Sequence, residues 1–210
     1  MMNLIQDLNW RYAVRRFSDQ KVQPELIGQL LEAARLSASS YGLQPYRLLV
    51  IESEAIREAL LPHSMGQDKV LHSSHLIVFA AQTAPANELV DRYALRVSDA
   101  RQVPLSDLAP MVNAFKGALA SQTEQERLAW AHQQANIALG QFLAAAAVLK
   151  VDACPMGGFD AKGYDEVLGL TGKGLTTSVI CPIGYRHPDD ATAHQPKVRV
   201  PAEIFAHWVR

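Results

Sequence analysis

Between Pro24 and Ser39 the apolar residues fall at Leu26, Ile27, Leu30, Leu31 and Ala34, with Arg35 closing the series. That three-and-four spacing predicts an amphipathic helix with a proline in its first turn, ending near Ser39. The period then changes. After the Gln44–Pro45 step, Leu48, Leu49, Val50 and Ile51 form a run too short for a helix, which predicts a buried strand. A helix is expected over 54–61, and HLIVFAAQT at 75–83 predicts a second interior strand. Residues 87–120 read as mixed helix broken by Pro104 and Pro110, and one long alanine-rich helix follows from Thr123 to Lys150. Its Ala138, Gly140, Ala144, Ala145 and Ala146 suit the close approach of another helix, from this chain or from a partner. VDACPM at 151–156 predicts a strand ending at Pro155, followed by two glycines and a short helix capped by Asp160. TTSVICPIGYR at 176–186 is the clearest strand of the four.

Helices interleaved with four strands imply a layered sheet-and-helix fold, with the strand order left open. No internal repeat and no linker divides the chain, so one domain over residues 1–210 is expected. A length of 210 residues, 49% hydrophobic and 20% charged, is that of a chain able to bury a sizeable core. Twenty basic residues against 21 acidic ones give a formal charge of -1, which offers little attraction to nucleic acid or an anionic membrane. No apolar run approaches the ~18 residues of a membrane span, and the opening MMNLIQDLNWRYAVRRF lacks the order of a secretory signal. Two cysteines, Cys154 and Cys181, without a C-x-x-C pair, fit a reducing, cytoplasmic setting.

The sequence contains no G-x-S-x-G, H-E-x-x-H, Walker-type loop or G-x-G-x-x-G after a strand. In GLTGKG the glycines at 169, 172 and 174 are in the wrong order for a phosphate loop and read as a turn. His72 and His75 lack a carboxylate or thiol at ligand spacing, so a metal enzyme or hydrolase has little support.

Four segments carry the remaining chemistry. In RYAVRRFSD, Arg11 and Arg15 stand four apart with Arg16 beside them; on a helix or tight turn they face one anion, or form a solvated basic face. ASSYGLQPY puts two hydroxyls, a glycine and an amide in a loop, or makes an ordinary helix stop. CPMGGF reads as a turn, or as a place where backbone N–H groups reach a flat ligand. In QPKVRVP the prolines discourage a helix, and in an extended chain Lys197 and Arg199 project to one side, as two cations suited to a phosphate.

Taken in order, RYAVRRF, ASSYGLQPYRLLVI, CPMGGFD, SVICPIGYR and PKVRVP resemble the FMN-dependent nitroreductase family over nearly the whole chain. The resemblance implies an α+β fold with a central, mostly antiparallel sheet flanked by helices, in an intertwined homodimer with FMN at the subunit interface. It implies that Arg11, Lys197 and Arg199 hold the FMN phosphate, with Tyr12 and Ala13 beside them and Arg15 near the flavin pyrimidine. Ser39, Ser40, Gly42 and Gln44 would reach the flavin from the partner chain. Gln67 and Lys69 would approach the ribityl chain and ring edge. Pro155 and Met156 would lie along the flavin face, and Gly157 or Gly158 would offer an N–H to its N5 or O4. Phe115 would line the substrate opening, while Trp130 reads as core. The implied reaction is ping-pong: NAD(P)H reduces the flavin at N5 and leaves, and a flat acceptor such as a nitroaromatic or quinone takes its place. No catalytic side chain is required, since the cofactor carries the chemistry. Ala13, Gly42 and Gly157 depart from the serine, asparagine and glutamate frequent in the family. A flavin-binding sensor or storage protein without turnover is the alternative.

Overall fold

The computed structural model describes residues 4–210. Along the chain lie α1 (Leu4–Trp10), α2 (Pro24–Arg35), β1 (Tyr46–Ile51), α3 (Glu54–Leu60), α4 (Lys69–His72) and β2 (His75–Gln82). Then come α5 (Ala86–Arg101), α6 (Ala109–Ala120), α7 (Glu124–Val148), β3 (Asp152–Ala153), α8 (Ala161–Val167), β4 (Leu175–Gly184) and α9 (Ala202–Phe205). The four strands form one antiparallel sheet in the order β1-β2-β4-β3. β2 is central, and every one of its residues is buried, which is why its sequence runs apolar without alternation.

α7 crosses this sheet. A capping box starts it: the Thr123 hydroxyl accepts from the Glu126 N–H, and the Glu126 carboxylate accepts from the Thr123 N–H at 2.8 Å. Its small face, Ala135, Ala138 and Ala146, lets the helix sit close to the strands, while Phe142 meets Phe79 of β2 edge-on at 5.7 Å. α2 packs on α7 through Ile27, Leu30 and Ala34. A second core on the other side of the sheet gathers Val14, Phe17, Leu60, Val78, Met156 and Tyr164.

Three expectations are corrected. α2 ends at Arg35, not near Ser39, and the Gln44 amide donates to the Arg35 carbonyl at 2.7 Å to satisfy that end. Pro110 does not break a helix but sits in the first turn of α6, where its missing N–H has no intrahelical partner to lose. The predicted strand over 151–156 pairs as β3, is interrupted at Pro155, which has no N–H to give, and resumes at Met156. There Met156 and Ile180 exchange hydrogen bonds of 2.8 and 3.2 Å. The glycines of the GLTGKG segment all have positive φ, as a turn requires. Among the described residues, no helix is long and apolar enough to cross a membrane.

Candidate active site

The RYAVRRF segment is neither helix nor tight turn. It is an extended arm lying against the sheet, with Ala13 bridged in parallel to Ala153 and Phe17 bridged antiparallel to Arg186. Val14 and Phe17 sink into the second core and fix the arm's rotation. The arm bends at Arg15 and Arg16, and Arg11, Ala13 and Arg15 line one cavity without helical spacing.

The C-terminal tail closes over the same side. Asp190 makes the junction: its Oδ2 accepts from the N–H groups of Arg15 at 2.9 Å and Arg16 at 3.1 Å, and its Oδ1 accepts from the N–H and hydroxyl of Thr192. Burial alone would raise this carboxyl, but the donors from Thr192, Arg15 and Arg16 outweigh it and hold it at about 2. A second junction lies beside it. Arg186 is bidentate to the buried Asp152, with Nη2 at 2.6 Å, and its guanidinium sits over Trp10 at 4.2 Å and Tyr12 at 4.5 Å.

The result is a cavity of about 340 Å³ whose charged lining is Arg11, Arg15, Lys197 and Arg199, together with Tyr12, Ala13 and Thr192. No carboxylate lines it. Among the described residues, none of the four cations has an ion-pair partner. Lys197 Nζ donates to the Arg11 carbonyl, which ties tail to arm. Burial lowers the Arg11 guanidinium and then Arg199 lowers it further; burial, then Arg11 and Arg199, does the same to the Lys197 ammonium. These groups resist sharing positive charge, and an anion among them relieves that.

At Ala13 and Arg15 this cavity meets a second, of about 590 Å³, lined by Gln67, Asp68, Lys69, Cys154, Pro155, Met156 and Gly158. α4 carries Lys69, and the buried Arg57 holds that helix by donating to the carbonyls of Leu71 at 2.8 Å and Ser73 at 2.5 Å. Gln67 Nε2 donates to the Gly158 carbonyl at 3.1 Å, linking the loop before α4 to the glycine turn. Asp160 caps α8 and its Oδ2 lies 3.1 Å from His63 Nδ1, which anchors the far side of that turn. Neither Gly157 nor Gly158 is forced by backbone or packing within the chain: both φ angles are ordinary. A Cβ on Gly157 would meet nothing within 4 Å, and one on Gly158 only Met65 Sδ at 3.7 Å. Met156 contributes mainly to the core and is 5% exposed.

Gly157 lines neither cavity, and nor do Ser39, Ser40, Gly42, Gln44 and Phe115. Their loop is held within the chain: Ser39 Oγ accepts from the Gln44 N–H at 3.1 Å and Ser40 N–H donates to Gln134 Oε1 at 2.8 Å. Gly42 has φ +72, and a Cβ there would stand 2.9 Å from Tyr93 Oη, so the position favours glycine on both backbone and space. Phe115 meets Tyr41 of the loop at 4.6 Å with the rings tilted by 46°, and Phe115 and Trp130 both pack against the small core of Leu43, Val90 and Leu119. Sequence reasoning missed Asp190, Arg186 and Arg57; the only signal for Asp190 was an Asp two residues before a Thr, the usual start of a capped turn.

The comparisons with known proteins agree with this architecture. The model of the Nitroreductase family matches residues 8–185. The chain belongs to the nitroreductase family. A Staphylococcus haemolyticus relative named as an NAD(P)H nitroreductase is 32% identical over 98% of this chain and 97% of its own. The Major NAD(P)H-flavin oxidoreductase of Aliivibrio fischeri is 32% identical over 93% of this chain and 94% of its own. Among solved structures, an Exiguobacterium sibiricum nitroreductase in complex with FMN superposes with a TM-score of 0.85 at 23% identity, over 100% of this chain and 98% of that one, which shares the fold. The family model ends at residue 185, and geometry brings Lys197 and Arg199 of the tail beside Arg11 and Arg15.

Proposed function

We propose that this nitroreductase-family chain is an NAD(P)H-dependent FMN oxidoreductase acting on flat acceptors such as nitroaromatics and quinones, by a ping-pong course, as a single-domain cytoplasmic homodimer. The observation that carries the reading is the carboxylate-free cavity with four unpaired cations, opening directly into one floored by a side-chain-free turn. A doubly charged phosphate suits the first, since the cluster of Arg11, Lys197 and Arg199 gains from an anion and has no other. A tricyclic ring suits the second, because Gly158 in its lining carries no side chain and a Cβ there would meet only Met65 Sδ at 3.7 Å. Bound there, FMN would supply the hydride acceptance and return that the reaction needs.

The chain's own residues do the rest. Arg11, Lys197 and Arg199 hold the phosphate, with Tyr12 and Ala13 forming the adjoining wall. Arg15 places positive charge at the meeting point of the two cavities, where charge gathers on a reduced flavin pyrimidine, and Lys69 in the second approaches the ribityl chain and ring edge. Gln67, Pro155, Met156, Gly157 and Gly158 form the floor; the N–H groups of Met156 and Gln67 are donated to the carbonyls of Ile180 and Ser64, which leaves those of Gly157 and Gly158 to orient the ring. Ser39, Ser40, Gly42 and Gln44 belong to the partner's site in this reading, with Phe115 over the opening. The tail supports pairing: Phe205, Trp208 and Val209 are 78%, 87% and 97% exposed, an apolar arm that a second copy would cover.

The test is purification followed by an absorption spectrum and NAD(P)H oxidation with menadione or a nitroaromatic. Yellow protein that turns over supports the proposal. Colourless protein that takes up no FMN contradicts it, and yellow protein whose flavin NAD(P)H does not reduce transfers the chain to a sensor or storage role.

A further inference from the structure

A separate cavity of about 300 Å³ lies between α5, α6 and the start of α7, and none of its lining residues lines either cavity of the candidate active site. Its inner wall is apolar: Leu89 of α5, Leu119 of α6, and Leu128 and Trp130 of α7. Glu124 and Arg127 line it as well. They stand three residues apart in the first turns of α7, the order and spacing at which Glu32 and Arg35 close to 2.6 Å on α2. Glu124 and Arg127 do not close. Among the described residues neither belongs to an ion pair. Arg127 Nη1 donates instead to the Gln122 carbonyl at 2.5 Å, which leaves its Nε and Nη2 for another acceptor.

Leu89 and Leu119 are buried while Glu124 is exposed, so the charges stand at the rim and the apolar groups at depth. That arrangement selects its ligand. A simple anion would face Glu124 as well as Arg127, a simple cation would face Arg127 as well as Glu124, and a neutral apolar molecule would use neither. A molecule that carries both charges on an apolar body satisfies all three parts at once. The volume stands at the low end of the ~300 to 1,000 Å³ of small-molecule sites, so that body is small. We propose that the cavity binds a zwitterionic α-amino acid with an aliphatic side chain of leucine's kind. The carboxylate lies on the free edge of the Arg127 fork, the ammonium on Glu124, and the side chain among Leu89, Leu119 and Trp130. The site needs neither flavin nor a second copy, and its occupant touches α5, α6 and α7 together.

The test titrates the full chain, by calorimetry and by tryptophan fluorescence, with L-leucine, with 4-methylpentanoate, which lacks the ammonium, and with 3-methylbutylamine, which lacks the carboxylate. The wild type is expected to bind leucine at least about tenfold tighter than either singly charged analogue. The fluorescence change is expected to be lost in Trp130→Phe. Glu124→Gln should bring leucine down to the affinity of 4-methylpentanoate, and Arg127→Met to that of 3-methylbutylamine. Leucine should also raise the melting temperature of the wild type, and Arg127→Met should lose that rise. No binding of leucine, or binding no tighter than the analogues, would overturn the inference, and that comparison uses the wild type alone, so it stands whether or not the variants fold. Leucine affinity unaltered in both variants, or a fluorescence change that survives Trp130→Phe, would place the ligand elsewhere and overturn it too.

Discussion

The arm-and-tail cavity and the serine loop are both polar, yet they handle polarity in opposite ways. In the loop the groups are spent inside the chain: Ser39 Oγ takes the Gln44 N–H, the Gln44 amide takes the end of α2, and Ser40 N–H is bonded to Gln134. In the cavity the backbone is tied down by Asp190 and by Asp152 with Arg186, while four cations are left facing one another. The difference teaches that the two regions have divided the work. One set of polar groups holds a shape, and the other is held by a shape and reserved for a ligand.

The largest expected effect comes from breaking the support. Arg186→Met would leave Asp152, 3% exposed, as an unpaired buried carboxylate, for a loss of about 3 to 5 kcal/mol of stability and a melting temperature lower by about 10 °C. Thermal unfolding checks it, and a shift under 2 °C would mean that the pair does not fasten the arm. Next is the reserved set: Lys197→Ala with Arg199→Ala should weaken FMN retention about 100-fold while leaving the melting curve of the flavin-free protein nearly in place. Unaltered flavin occupancy would remove the tail from the site.

Asp190 sharpens the comparison through pH. Its folded pKa of about 2 lies below the ordinary 3.8, so its contribution is full above about pH 4 and fades as pH falls through 2. It amounts to about 2 kcal/mol. Asp190→Asn should flatten that acid limb in denaturant titrations run between pH 2 and 5; an unchanged limb would assign the acid sensitivity elsewhere. The smallest effect belongs to the loop. Gly42→Ala sets a side chain at φ +72 against Tyr93, and about 1 to 2 kcal/mol of destabilisation is expected from equilibrium unfolding. A neutral substitution would show that the loop yields.

The sequence made the elements readable because their periods differ. β1 and β2 are short apolar runs, and α7 carries a cap and a long small-residue face. The arm was misjudged as helix or turn: Arg11 and Arg15 fit a four-residue spacing as well as a two-residue one, and only the bridge to Ala153 decides between them. Lys197 and Arg199 were legible as a pair, since prolines at 196 and 201 keep that stretch extended. Asp190 and Arg186 were not, because their partners lie more than thirty residues away and no local pattern announces such bonds. Gly42 was legible as part of a loop, but the contact that disfavours a side chain there, with Tyr93 on a distant helix, is a tertiary fact.

The central claim is that cations from both ends of the chain meet in order to take a phosphate. Titrating the flavin-free protein with FMN and with riboflavin, followed by quenching of flavin fluorescence, isolates that group, because the two ligands share the ring and ribityl chain. Binding of FMN at least about 100-fold tighter than riboflavin is the result expected here; equal affinities would contradict it.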